Sequence, residues 1–304
     1  MAIYAGFDLG GSRLKYGLID SQGKILFSSS APTPPQIEEL ISLLKKCWLN
    51  LKRQSKKKIA ACGVGFPGIF SLKEQKIINS PNYPHLNGFD LHPFLSQFID
   101  VPYWLHNDAN LAAFGEFKLG AGQGAQSMVL LTIGTGIGTG LIFEGKLWQG
   151  KCGFAGELGH VPVNPRGDKC HCGSYGCLET EVSAPKIVKN YKALKNIGYE
   201  ITAEEVFKRA KRGDQAALKV YADAGRFLGV GLAIVINFLN PEKIILGGGV
   251  MRSGELLLPP ALSEARQRSY EAAFACCQIE QASLGNRAGL VGAALWAKEQ
   301  NQQR

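Results

Sequence analysis

Two segments of this chain repeat one another. Residues 7–26 and 131–147 each read as strand, glycine turn, strand, second turn and Gly-Lys. Gly10 aligns with Gly134, Gly17 with Gly140, Leu18-Ile19 with Leu141-Ile142 and Gly23-Lys24 with Gly145-Lys146, with two single-residue gaps. Recurrence in one order points to duplication of a supersecondary unit. The chain is therefore expected to hold two related halves, each presenting a Gly-lined turn. A pair of such turns suits a ligand with several phosphates.

The intervening sequence supports an α/β class. Ile3–Leu9 and 14–19 read as strands around Gly10-Gly11-Ser12, and Ile25-Leu26-Phe27 follows the Gln22-Gly23-Lys24 turn. Thr33, Pro34 and Gln36 mark a helix start, with Thr33 as the cap and Gln36 completing a capping-box pattern. Ile37, Leu40, Ile41, Leu44 and Trp48 form its apolar stripe. Further strands are expected at 59–66, 103–105, 128–133, 138–143 and 243–246. Helices are expected at 109–118, after a Thr202 cap with Glu205, in a long run ending at Asn240-Pro241, and at 288–298. Strands alternating with helices define the class.

Composition narrows the partners. The 304 residues are 45% hydrophobic and 19% charged, enough apolar residue for a sizeable core and too little charge for disorder. The net charge of +9 includes the run Lys52, Arg53, Lys56, Lys57 and Lys58, read as a solvated helix end and loop. That run lacks a recognition-helix pattern, so no nucleic-acid partner is expected. Met1 runs almost directly into a strand, with no signal peptide read there. The longest apolar stretch, 227–239, is shorter than the ~20 residues a spanning helix needs and reads as a buried core helix. A cytoplasmic protein with no membrane partner is the expectation. Of eight Cys, three (Cys170, Cys172 and Cys177) crowd together, which indicates reduced thiols plus one metal site rather than disulfides.

The glycine turns are of an unusual kind. Gly134, Gly136, Gly138 and Gly140 alternate with other residues and run into a strand, so the segment is no dinucleotide fingerprint, and no P-loop pattern exists. Such turns must hold phosphate through backbone N–H groups and the hydroxyls of Ser12, Thr132 and Thr135. Asp8, just before the first turn, is placed to hold magnesium directly or through water. The alternative is that it satisfies turn amides.

Five motifs carry a resemblance. They are Asp8-Leu9-Gly10-Gly11-Ser12; Asn107-Asp108-Ala109-Asn110 with Ala112-Ala113 and Gly115-Glu116; Gly134-Thr135-Gly136; Gly156-Glu157-Leu158-Gly159-His160; and the run from Cys170 to Glu179. The last reads C-x-C-G-x-x-G-C-x-E. In this order they resemble the ROK family of sugar kinases and sugar-responsive repressors over essentially the whole chain. Ser12 stands where the family usually has Thr, Thr139 where Gly is common, and Phe89 where many members have Trp. The resemblance implies an α/β actin-like ATPase (ribonuclease H-like) duplicated fold, two lobes with a cleft between them. It places a small lobe at 1–117, with the C-terminal helix of about 288–304 packing back on it. A large lobe at 118–287 would carry a zinc site and most of the dimer contacts.

The implied activity is ATP-dependent phosphorylation of a hexose hydroxyl, with Mg2+, in a homodimer. By resemblance, Asp108 is the catalytic base, and Gly68, Asn107, Asp108, Glu157, His160 and Glu179 bind the sugar. Asp8, Gly10, Gly11, Ser12, Lys15, Thr135 and Gly136 bind the ATP phosphates. Independently of the resemblance, Gly247-Gly248-Gly249 offers side-chain-free backbone for close approach of the adenosine end, the alternative being a generic strand-to-helix turn. The base is expected to be ionised at neutral pH with an ordinary pKa of about 3.9, so that position matters more than basicity. If Asp108 merely caps its helix, that role falls away.

Three thiolates and one imidazole make a closed, structural Cys3His zinc site. The family's fourth ligand matches His160, with one ring nitrogen on zinc and the other toward a sugar hydroxyl. His171, inside the cluster, is the competing ligand. Glucose is the first expected substrate, N-acetylmannosamine or N-acetylglucosamine the second, then fructose and mannose. The loop at 80–88 shapes the pocket for the sugar's 2-substituent, and polyphosphate is an alternative donor. The family's repressors carry a helix-turn-helix ahead of the sugar-binding fold, for which Asp8 leaves no room after Met1. A catalytically silent sugar sensor is the alternative of another class.

Overall fold

The first repeat folds into β1 (Ile3–Leu9) and β2 (Arg13–Asp20), followed by β3 (Ile25–Pro32). The computed structural model describes residues 2–71, 76–80 and 84–303. β1 is buried along its whole length, as a strand covered on both faces must be. It pairs antiparallel with β2, Phe7 opposite Tyr16.

Helix α1 (Ile37–Gln54) corrects one expectation. Its N-cap is Gln36, with no side-chain cap bond. Pro35 disfavours the helical conformation at Pro34, so the helix starts later. Thr33 is left free of capping and instead donates its hydroxyl to Gly10 O at 3.0 Å, while its N–H donates to Ser12 O at 3.1 Å. Thr33 therefore braces the first glycine turn. The helix buries Leu40, Leu44, Cys47, Trp48 and Leu51.

The chain continues through β4 (Ile59–Phe66), the short β5 (Ile69–Ser71) and β6 (Lys76–Asn79), α2 (His92–Leu95), β7 (Tyr103–Asn107) and α3 (Asp108–Leu119). β4 joins β1 in parallel, Gly6 opposite Gly63, and β7 joins β4. The first sheet has the order β3-β2-β1-β4-β7. Residues 81–83 of the 80–88 loop, expected to shape the 2-substituent pocket, lie outside the described residues.

The second repeat supplies β8 (Met128–Ile133), β9 (Ile137–Phe143) and β10 (Lys146–Trp148). Helices α4 (Leu178–Val182), α5 (Ala184–Lys195), α6 (Ala203–Lys211) and α7 (Gln215–Leu239) follow, then β11 (Lys243–Gly247), α8 (Gly254–Arg268), α9 (Glu271–Cys276), β12 (Gln278–Gln281) and α10 (Ala288–Gln302). The second sheet, β10-β9-β8-β11-β12, repeats the first position for position. The duplication read in the sequence is thus a duplication of topology. Thr202 caps α6 as expected, its hydroxyl accepting from Glu205 N at 3.2 Å.

By contacts the chain forms two compact units. One comprises residues 1–124, 140–155 and 283–304, the other 125–139 and 156–282. In the first, α10 lies across β1 and β4 and beside α3. Glycines make this approach possible. A Cβ on Gly63 would lie 1.9 Å from Ala293 O, and one on Gly292 would lie 1.7 Å from Leu111 O. In the second unit, α7 is long and apolar enough, by length and composition alone, to cross a membrane. Half of its most apolar window is buried, and Gly225 and Gly229 seat it against Leu257, Pro260 and Ala261 of α8. The helix is longer than the 227–239 stretch suggested; Leu228, Leu232, Val235 and Ile236 of that stretch are buried as expected, whereas Phe238 is exposed.

Gly292→Ala is expected to destabilise the protein by about 1–3 kcal/mol or more, because backbone blocks the new methyl. Gly198→Ala, where nothing lies within 4 Å, should change stability by less than about 0.5 kcal/mol. Urea denaturation of both variants checks this, and equal effects would refute the packing account.

Candidate functional site

In the first unit the chemistry gathers at the end of β7. Asn107 caps α3, its side-chain oxygen accepting from Asn110 N at 2.9 Å. Its amide nitrogen donates to Gly68 O at 2.9 Å and approaches Asp108 Oδ1 at 3.3 Å. Asn107 thereby links two of the expected sugar-binding positions. Gly68 has φ +117°, and a Cβ there would sit 2.4 Å from Asn79 O. His106 accepts from Asn107 N at 2.8 Å, and burial lowers its pKa to about 4. It is a neutral core residue that fixes the strand end.

Asp108 opens α3 but is not its cap, since Asn107 holds that place. Its Oδ1 accepts from Ala109 N at 2.9 Å. The expectation of an ordinary carboxylate pKa is corrected here. Although the residue keeps some exposure, desolvation first and the charge of Asp8 second raise its pKa to about 7, against smaller opposing effects of the Ala109 N–H and Lys15. Residue type alone could not reveal this, because Asp8 is a hundred positions away in sequence.

Asp8 is buried, 6% exposed, and accepts from Lys15 Nζ at 3.0 Å. A Cβ on Gly289 would lie 2.5 Å from its carboxyl carbon, so the first turn of α10 rests on this group. That is the positive end of a helix dipole, a favourable place for negative charge. In the first turn itself, Gly10 N donates to Arg13 O at 3.0 Å, and Gly11 and Ser12 are exposed.

The second unit carries the second turn. Gly134 N donates to Gly136 O at 2.8 Å, and Ala184 N donates to Gly134 O at 2.8 Å. Thr132 bonds across its own hairpin, donating to Gly138 O at 3.3 Å, whereas Thr135 is exposed. Gly136 has a reason unseen in the sequence: a Cβ there would lie 2.4 Å from Glu179 Oε2. That oxygen accepts from Ile137 N at 2.7 Å, which ties Glu179 to the turn. Gly248 has φ +89° and abuts Ile133, where a Cβ would meet its carbonyl oxygen at 2.3 Å, while Gly249 has open space.

Glu157, His160 and Glu179 come together in this unit. His160 Nε2 lies 3.9 Å from Glu157 Oε2. Burial, and then the charge of Glu179, raise the Glu157 pKa. The other face of His160 meets the cysteines, with Nδ1 3.5 Å from Cys170 Sγ. Cys172 Sγ and Cys177 Sγ are 3.7 Å apart, and donor atoms of all four residues lie within 4.8 Å of one another. Tetrahedral zinc with bonds of about 2.3 Å to sulfur and 2.0 Å to nitrogen needs S···S near 3.8 Å and S···N near 3.5 Å, so these residues fit that ion. His171 Nδ1 lies farther from Cys170 Sγ, at 4.0 Å, and nearer Glu179 Oε1, at 3.3 Å.

Two buried acids act as supports that their residue type does not announce. Glu116, fully buried, accepts from Ala121 N at 3.0 Å, Ser283 N at 3.1 Å and Leu284 N at 2.8 Å. It anchors the segment that leads into α10. Glu181, 3% exposed, lies 3.5 Å from Lys186 Nζ, which also bonds Asp168 at 2.8 Å. That network backs the loop of the Cys/His cluster. A lone Glu in a sequence carries no signal of burial.

Two sheets of one strand order, each with a glycine turn beside its central strand, define a duplicated α/β protein, and the comparisons agree. Residues 4–300 match the ROK family model. The chain is 34% identical over 316 residues to a glucokinase of Halalkalibacterium halodurans, covering 98% of this chain and 95% of that protein. A ROK family glucokinase from Streptomyces griseus, solved in complex with glucose and AMPPNP, matches with a TM-score of 0.88 at 32% identity, covering 98% of this chain and 100% of that one. A ROK hexokinase from Thermus thermophilus matches with a TM-score of 0.84 at 31% identity, covering 99% and 100%. The chain belongs to the ROK family, and its fold is that of the actin-like ATPases.

A carboxyl raised to about 7 keeps in the folded state a proton that the unfolded chain, with a pKa of about 3.9, releases. Its contribution to stability is present below pH 4 and declines as pH rises to 7. Asp108→Asn should therefore gain stability relative to the parent as pH rises from 4 to 8, by up to roughly 1.4 kcal/mol per unit. Urea denaturation at several pH values reads this out. A difference independent of pH would show that Asp108 ionises as an ordinary carboxylate.

Proposed function

We propose that this chain phosphorylates a hexose with ATP, most readily glucose, to give glucose 6-phosphate. The observation that carries this reading is its likeness over 98% of its length to a glucokinase and to an enzyme solved with glucose and AMPPNP. In this reading Asp108 takes the proton of the attacking hydroxyl. A pKa of about 7 is supported by burial and by Asp8, and a base poised near the operating pH is efficient. Gly68, Asn107, Glu157, His160 and Glu179 bind sugar hydroxyls in this reading. Carboxylates bridging hydroxyls discriminate well, since a missing hydroxyl strands a buried charge.

The phosphates belong to Gly10, Gly11, Ser12 and Lys15 and to Thr135 and Gly136, and the adenosine end to Gly248 and Gly249. Asp8 is the residue to hold Mg2+, directly or through water. The fit rests on a buried carboxylate beside the first turn, and the ion would neutralise phosphate charge. Cys170, Cys172, Cys177 and His160 would hold a structural zinc, which would fix the start of α4, where Glu179 sits. A homodimer in the cytoplasm, feeding glycolysis, completes the reading on family resemblance alone.

A coupled assay across a hexose panel with ATP and Mg2+ tests the activity. Asp108→Asn should lower kcat by about 10²–10⁴-fold with the hexose KM far less affected. Undiminished turnover in that variant, or no phosphorylation of any hexose by the parent, would end this reading. Separately, metal analysis should find one zinc per chain. Cys172→Ser should lose it and lower the Tm; full zinc content in that variant would exclude the proposed ligand set.

A further inference from the structure

His171 is absorbed by neither the cysteine cluster nor the proposed sugar contacts. It lies between two cysteines, yet its side chain remains 45% exposed and points to Glu179, Nδ1 3.3 Å from Oε1. Its ring meets that of His160 edge-on, the centroids 4.9 Å apart at 88°. Donor atoms of His160, His171 and Glu179 all lie within 4.8 Å of one another. Two imidazoles and a carboxylate are the donors that zinc, cobalt and nickel prefer, and three protein ligands leave a coordination position open. With bonds of about 2.0–2.1 Å, tetrahedral zinc needs N···O near 3.4 Å, close to the His171–Glu179 spacing. Glu179 is also held ready, because its Oε2 accepts from Ile137 N at 2.7 Å while Oε1 faces His171. Glu157 adds a second carboxylate 3.9 Å from His160 Nε2.

We infer that His171, Glu179 and the nitrogen of His160 turned away from the cysteines form a second site for a divalent transition metal, separate from the Cys3His cluster. The first ion uses the thiolates and Nδ1 of His160; the second takes Nε2, whose N–H proton is released to solvent so that the ring bridges the two ions as an imidazolate, with only oxygen and nitrogen donors on the second ion. Because Glu179 and His160 are also the proposed hexose ligands, an ion here excludes the sugar and inhibits. That consequence alone rests on the sugar-site reading.

The test titrates the zinc-loaded protein with Co2+ and follows absorbance. The expected result is one further equivalent, with the d–d bands of a nitrogen and oxygen site and no thiolate charge-transfer band. His171→Ala should keep its zinc and its Tm but bind the added Co2+ at least about ten-fold more weakly. Glucose and Co2+ should compete, so that Co2+ raises the glucose KM without lowering kcat, and less so in His171→Ala. No added equivalent, or equal affinity in the variant, overturns the site. If Co2+ binds, depends on His171 and yet leaves glucose affinity unchanged, the metal site stands and the assignment of Glu179 and His160 to the hexose falls. The absorbance titration needs no turnover, so it decides the metal site even if no sugar is phosphorylated.

Discussion

Backbone pressed directly against backbone is the constraint on which the first unit depends. Helix α10 approaches β4 and α3 so closely that Gly63 and Gly292 have no room for even a methyl group. The same approach seats Gly289 on the carboxyl of Asp8. Asp8 is thereby kept buried beside Lys15, and its charge acts on Asp108. After its own burial, the second contribution to the proton affinity of the proposed base thus follows from how a C-terminal helix packs on an N-terminal strand. Close packing transmits such demands because interiors have little slack.

Acids recur as fasteners. Glu116 collects three backbone N–H groups, Glu179 one, and Glu181 shares Lys186 with Asp168. A buried carboxylate is costly unless several donors meet it, and then it holds its loops in one arrangement. In the second unit this gives Glu179 two duties. One oxygen fixes the glycine turn, and the other is presented toward His171. His160 lies between Cys170 and Glu157, and Glu179 between Ile137 N and His171, so both are set by neighbours rather than by their own rotamer preferences.

Much of this is legible in the sequence. Strand–turn–strand repeats, the Thr202 cap and the crowded cysteines are local patterns, and local patterns survive in a linear text. The Thr33 cap was misread because a capping residue and a turn brace look alike in sequence. The decisive fact was Pro35, which delays the helix and sends the Thr33 hydroxyl to Gly10 O. At glycines 136 and 248 the residue type says only that no side chain is present. Their immediate neighbours are the carboxylate of Glu179 and the backbone of Ile133, both distant in the chain.

By itself, then, the sequence determined the duplicated α/β plan, the two turns, the thiol cluster and membership of the family, since each is written in residues close together or in a fixed order. Tertiary structure alone decided which groups share a charge. It raised Asp108 by burial first and then through Asp8, divided His160 between cysteine and carboxylate, and turned His171 toward Glu179. The physical reason is that electrostatic and desolvation effects act through space over a few ångströms, and sequence separation does not measure that distance.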